Sequence, residues 1–309
     1  MQKTILKPIS FRGVGLHSGA AAEVCIRPAA VGEGIRFVRT DLNDGEAVIP
    51  ALWDRVNQSP LCTRLENAEG VSVSTVEHIM AALMGCGLTN AVIEIDGPEI
   101  PILDGSSAEF VRGILSAGIE AQGTPATAIR ILKPVTVTKK GDANAYATLT
   151  PHDTLRIDFQ IEFDDAAIGR QTKSLNMSNG SFVRELSDSR TFCRKADVEA
   201  MRANGLALGG TFENAVVVDG SDVLSPGGLR HTDEAVRHKM LDALGDLALA
   251  GAPILGRYEG CRAGHALTND LLHALFADPT AYEVVTVSAD QAAKLPGAGV
   301  HWGEVPAVA

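Results

Sequence analysis

The chain has 309 residues, 45% hydrophobic and 21% charged, which is a globular rather than a disordered composition. Its net charge of -11 argues against the basic surface that nucleic-acid binding needs, though a few local cations can still hold an anionic small substrate. Five cysteines (Cys25, Cys62, Cys86, Cys193 and Cys261) include no CxxC pair, so neither a disulfide framework nor a thiolate metal site is expected, and a reducing cytoplasm fits.

Residues 1–10 alternate apolar and polar side chains and lack the apolar core of a secretory signal; no apolar run is long enough to span a bilayer. Segments 21–27 and 34–39 read as strands. Segment 76–84 reads as a helix ended by Gly85 and Gly87, 91–95 as an alternating strand, and 108–116 as a helix. A Gly/Pro-punctuated linker follows at 118–125. Beyond it, strands are predicted at 130–138, 145–150, 155–163, 215–219 and 283–287, and helices at 182–187, 198–204, 233–250 and 267–277. Ile5-Leu6-Lys7-Pro8 recurs as Ile131-Leu132-Lys133-Pro134, each copy opening a strand-like segment. The shared order of elements predicts two domains of similar two-layer build, 1–123 and 124–309, with helices packed against sheets. Strands clustered ahead of helices favour an α+β fold over a doubly wound sheet.

The most informative segment is the helix at 233–250, with Thr232 as its N-cap and Gly251 and Pro253 as its stop. At about 100° per residue, His238, Asp242 and Asp246 share one stripe, opposite Val236, Met240, Leu244 and Leu247. An imidazole and a carboxylate at i, i+4 can share one metal ion, whereas a solvated face with charge pairs is the plainer explanation. A catalytic zinc wants about three protein ligands and an open position, so a further ligand has to come from elsewhere. His78 is the candidate. Its neighbour Glu77 matches a capping box with Ser74, and equally suits a general base. His265, placed just ahead of the 267–277 helix, is either a surface imidazole or, if Asp246 reaches it, a cation near neutral pH.

Six segments in order resemble the UDP-3-O-acyl-N-acetylglucosamine deacetylases of lipid A biosynthesis, over nearly the whole chain. They are Gly15-Leu16-His17-Ser18-Gly19, Ser74-Thr75-Val76-Glu77-His78, the run from Pro98 to Ser106, Ser189-Arg190-Thr191-Phe192, the run from Val236 to Asp246, and Gly264-His265-Ala266-Leu267. The resemblance implies an amidase carrying one zinc ion, with its active site between two α+β sandwich domains. It implies His78, His238 and Asp242 as ligands and Glu77 as the base that deprotonates the attacking water. Thr191 would donate to the oxyanion, and His265, oriented by Asp246, would stabilise the intermediate or protonate the leaving amine.

For the acylated UDP-sugar substrate, the resemblance implies Lys239 and Arg262 at the anionic part, and Phe163 with Glu162 at the uracil. Phe163 reads equally as a strand-end core residue. Segment 192–217 is the expected acyl passage, with Phe192, Val198, Met201, Phe212 and Val216, although core packing gives the same pattern. Leu16 and Cys62 are expected to line the pocket near the metal. Two other readings fit the residues: a nucleotide-sugar binding module without turnover, and a zinc lyase or dehydratase. A His₂-carboxylate site also accepts iron. A monomer is the default expectation.

Overall fold

The computed structural model describes residues 1–42, 47–57, 59 and 61–306. Its helices are α1 (Glu77–Gly85), α2 (Ala108–Ala117), α3 (Ser181–Glu185), α4 (Lys195–Ala203), α5 (Glu234–Ala248), α6 (His265–Phe276) and α7 (Ala289–Ala292). The fold is α+β, with helices packed against more than one sheet.

A five-stranded sheet runs in the order Ile9–Val14, Ala21–Pro28, Ala91–Ile95, Ile35–Arg39, Val48–Pro50. The Ile35–Arg39 and Ala91–Ile95 strands are parallel, and α1 lies in the chain segment that crosses between them. Alternating burial along Ala21–Pro28 and Ala91–Ile95 turns Val24, Ile26, Ile93 and Ile95 to the core. A seven-stranded sheet draws on later residues, with Ile254–Cys261 at its centre. That strand pairs antiparallel with Asp142–Pro151 and parallel with Leu155–Glu162 and Thr127–Ile131.

Helices α1 and α5 pack together, and Gly245 explains how closely. A Cβ at that position would stand 2.0 Å from the Glu77 carbonyl oxygen, so only glycine lets α5 cross the first turn of α1. Nearly all of α5 is buried on every side, which is why its polar residues are not a solvated face. No helix among the described residues is long and apolar enough to cross a membrane.

Several expectations change. The strand expected at 130–138 is two, Thr127–Ile131 and Val135–Lys139, because Pro134 has no amide for a ladder. The repeated Ile-Leu-Lys-Pro therefore joins strands instead of opening one. The first copy likewise sits between Lys3–Ile5 and Ile9–Val14. The segment read as a linker carries the strand Ile119–Ala121, paired antiparallel with Lys3–Ile5. Asp233, not Thr232, is the N-cap of α5. His265 is the first residue of α6, not the residue ahead of it.

Candidate active site

Where α1 crosses α5, three side chains converge. His78 Nε2 lies 3.7 Å from Asp242 Oδ1, and His238 Nε2 lies 3.3 Å from the same oxygen. The two imidazoles stand perpendicular, with centroids 5.0 Å apart. One ligand atom from each of the three residues falls within 4.8 Å of the others, close enough to hold one metal ion. The side chains are almost fully buried, at 4% exposure for His78 and Asp242 and 3% for His238.

The chemistry of this donor set fits a cation. Asp242 Oδ1 is buried and accepts no hydrogen bond among the described residues. Burial, reinforced by His238, pushes the His78 imidazole down to about 3. Burial also lowers His238, against the pull of Asp242. His238 Nδ1 sits 3.0 Å from the Ser189 carbonyl, which can only accept, so Nδ1 carries the hydrogen and Nε2 keeps its lone pair. Burial works against the Asp242 charge, yet the neighbouring Lys239 and His265 cations hold this carboxyl below the usual range. Two neutral imidazoles and one carboxylate are thus presented without protons at their facing atoms.

Glu77 begins α1, but not as a cap. Its Oε2 accepts the Thr63 amide at 3.0 Å, Ser74 lies in the strand Ser72–Ser74, and the N-cap is Val76. The capping-box reading fails because the Thr63 amide, just ahead of the strand Arg64–Glu66, reaches the carboxylate instead. The other oxygen, Oε1, is 3.9 Å from His265 Nε2. Burial pushes the Glu77 carboxyl up to about 7, with the His265 charge opposing it. Burial pulls the other way on His265, but Asp246 and Glu77 outweigh it and raise the imidazole to about 9. Asp246 Oδ2 meets His265 Nδ1 at 2.9 Å. A buried carboxyl and a cationic imidazole therefore face one another beside the three-ligand cluster.

These groups open on a cavity of about 700 Å³ whose wall includes Glu77, His78, His238, Asp242, Thr191 and His265. Lys239 also lines it, and its Nζ donates to Asp242 Oδ2 at 2.7 Å, a partner not expected from the sequence. Arg262 stands at the rim, paired with Asp142 at 3.2 Å. Phe163 lines the same space and meets Phe192 edge-on at 5.4 Å between centroids. Glu162 does not line it; strand alternation turns this exposed residue to the opposite face from Phe163.

A second, more apolar cavity of about 340 Å³ adjoins the first and shares Leu16, Thr191, Phe192 and Met201 with it. Val198 and Phe212 line this second space as well. Val216 does not: it is buried on the far side of its strand, and Ala215 and Val217 take the lining positions. Cys62 lies behind the wall, its thiol on Ser59 Oγ at 3.5 Å and pushed by burial up to about 11, while Leu61 faces the cavity.

Four residues escaped the sequence reading. Thr63 bonds both Glu77 and Asp246, and Ser189 orients His238 through its carbonyl. The buried Glu99 accepts the His17 and Ser18 amides at 2.8 Å each and so fixes the loop bearing Leu16. His17 lines the apolar cavity, both its ring nitrogens buried without a hydrogen-bond partner among the described residues. Glu99, His17 and Ser189 stood in motifs already singled out. Thr63 and Ser189 act through backbone groups or distant pairing that no local pattern signals.

A carboxyl and a cationic imidazole beside an open His-His-Asp cluster make up the equipment of a metal-dependent hydrolase. Residues 2–277 match the family model described as UDP-3-O-acyl N-acetylglycosamine deacetylase, and the chain belongs to that family. It is 49% identical over 291 residues to the UDP-3-O-acyl-N-acetylglucosamine deacetylase of Phenylobacterium zucineum, covering 94% of this chain and 98% of that protein. A protein of the same name from Idiomarina loihiensis is 49% identical over 293 residues, covering 94% of each chain. The one from Shewanella frigidimarina is 46% identical over 297 residues, covering 96% of this chain and 95% of its own.

Proposed function

We propose that the chain hydrolyses the N-acetyl amide of UDP-3-O-acyl-N-acetylglucosamine, releasing acetate in lipid A biosynthesis, with one zinc ion held by His78, His238 and Asp242. The observation that carries this reading is the adjacency of two spaces. One holds the His-His-Asp cluster with Glu77 and His265, and the other is an apolar cavity opening from it. Zinc at the cluster would supply Lewis acidity toward a water molecule and toward the amide carbonyl.

The chain's own residues account for the proton traffic. Glu77 takes a proton from the attacking water through Oε1, because Oε2 is occupied by the Thr63 amide. Glu77 is ionised above about 7 and His265 is cationic below about 9, so the two required forms coexist around neutral pH. As the C–N bond breaks, the leaving nitrogen takes a proton from His265 or, through it, the one Glu77 received. Asp246 holds the imidazole by Nδ1 and leaves Nε2 facing the reaction. The Thr191 hydroxyl, on the wall of both cavities, is a donor for the developing oxyanion. Arg262 at the rim brings positive charge suited to the diphosphate, Lys239 brings a second cation beside Asp242 for the substrate's anionic part, and Phe163 offers a ring face to the base. The apolar cavity takes the acyl chain, with Val198, Met201 and Phe212 along it.

We also keep the division into residues 1–123 and 124–309, which the separate origin of the two sheets supports. The test is product analysis with the acylated UDP-sugar and zinc-loaded protein. Acetate in equal amount to the free amine supports the reading. Loss of water with the acetyl group intact would replace it by the lyase reading, and binding without turnover by the binding module.

A further inference from the structure

Thr63 is buried in the contact between α1 and α5, and each of its three bonds ends on the site or on the helix that carries it. Its amide donates to Glu77 Oε2 at 3.0 Å. Its carbonyl accepts the Val76 amide, the N-cap of α1, at 3.3 Å. Its hydroxyl donates to Asp246 Oδ1 at 2.5 Å. We propose that Thr63 is a positioning residue that locks Glu77 and Asp246, and through Asp246 the His265 imidazole, into one register. The inference rests on the amide hydrolysis proposed above.

A carboxylate held by one oxygen swings about its terminal bond, whereas one held by both oxygens does not. Asp246 Oδ2 is engaged by His265 Nδ1, and Oδ1 by the Thr63 hydroxyl. The hydroxyl therefore fixes the plane from which His265 takes its orientation. Glu77 is treated differently. The Thr63 main chain takes Oε2, which leaves Oε1 as the atom facing His265. The strand Arg64–Glu66 follows Thr63 directly and pairs with Ser72–Ser74, from which the chain enters α1. This hairpin clips Thr63 to the start of the helix, so its amide and hydroxyl reach α1 and α5 from one rigid point.

The two roles are separable, because valine keeps the outline of the side chain and the backbone bonds but removes the hydroxyl, leaving Asp246 Oδ1 without its donor. On the metal-loaded enzyme, Thr63→Val is expected to lower kcat for acetate release about 10-fold with KM within about 2-fold. Thr63→Ser is expected to return kcat to within about 3-fold of the parent. In an Asp246→Ala background, where the hydroxyl has no acceptor to hold, the valine change is expected to cost less than about 2-fold, because the two side chains act as one unit. Metal content and Tm are read on every variant, and Thr63→Ala replaces the valine variant should that one fail to fold. Full kcat in the hydroxyl-free variant, a loss confined to KM, or equal losses with and without the Asp246 side chain overturns the assignment. No acetate release from the unaltered protein would instead overturn the function on which the assignment rests.

Discussion

The two halves of the site are built on different principles. The reaction end takes its groups from buried helical positions, the crossing of α1 and α5 and the first turn of α6. Most of its polar groups have a fixed partner: Glu77 on Thr63, His238 on Ser189, His265 on Asp246. The apolar end is walled by loops and by α4, which has no buried residue, and by side chains such as Phe212, which is 48% exposed. Chemistry that needs atoms in place sits where burial is most complete, whereas the proposed passage for an acyl chain has a more exposed wall. Substitutions at the first end should therefore change the rate for every substrate, and those at the second should change which substrate is preferred.

The largest expected effect is at Glu77. Glu77→Gln keeps the Thr63 bond and the shape but cannot accept the water's proton, and should lower kcat by ~10²–10⁴ with metal content unchanged. Acetate release and metal analysis on one preparation check this; a variant at full rate removes Glu77 from the mechanism. Asp246→Asn is expected next, with about 10²-fold lower kcat, because the imidazole loses its anionic partner. Steady-state kinetics would show whether KM stays put, as the comparison between the two ends requires.

How much of this was legible in sequence depends on the range of each interaction. The His238–Asp242–Asp246 stripe follows from helical periodicity, and α5 does present all three. What periodicity cannot tell is that α5 is buried on all sides, which follows from Gly245 packing on the backbone of Glu77. Glu77 looked like a capping residue because Ser74 stands three positions before it; the competing donor, the Thr63 amide, is fourteen residues away. Asp246 and its hydroxyl donor are 183 residues apart. Glu162 and Val216, expected at the substrate from the resemblance and from the apolar run, line neither cavity, because neighbouring side chains in a strand face opposite ways and Phe163, Ala215 and Val217 take the wall.

The Arg190–Glu234 pair at the start of α5 tests the rigidity of the reaction end. Glu234 is 1% exposed and bonds the Arg190 guanidinium at 2.9 Å together with the Arg190 and Arg230 amides. Burial tends to raise this carboxyl, but these donors outweigh it and hold it below its ordinary value of 4.5. A depressed carboxyl contributes stability fully above its unfolded value and loses it as pH falls through the folded one. Glu234→Gln should cost about 3 kcal/mol at pH 7, because it leaves Arg190 buried without its counter-charge. Thermal melts from pH 7 to pH 3 should show a constant gap between variant and parent above the ordinary value and a narrowing one below it. A gap that does not change with pH contradicts the ionised pair.

The smallest effect is expected at the apolar end. Val198→Trp narrows that cavity, and should lower kcat/KM about 10-fold for a long acyl chain while leaving a short-chain substrate within about 2-fold. Equal losses on both substrates would erase the distinction between the two ends.

The central claim is that one metal ion at His78, His238 and Asp242 is what makes the reaction end work. It is tested most directly by stripping the protein with a chelator and titrating zinc back while following acetate release. The account expects activity to vanish on stripping and to return linearly, reaching its plateau at about one zinc per chain. Activity that survives metal removal, or a stripped protein that stays inactive at every zinc ratio while remaining folded, would contradict it.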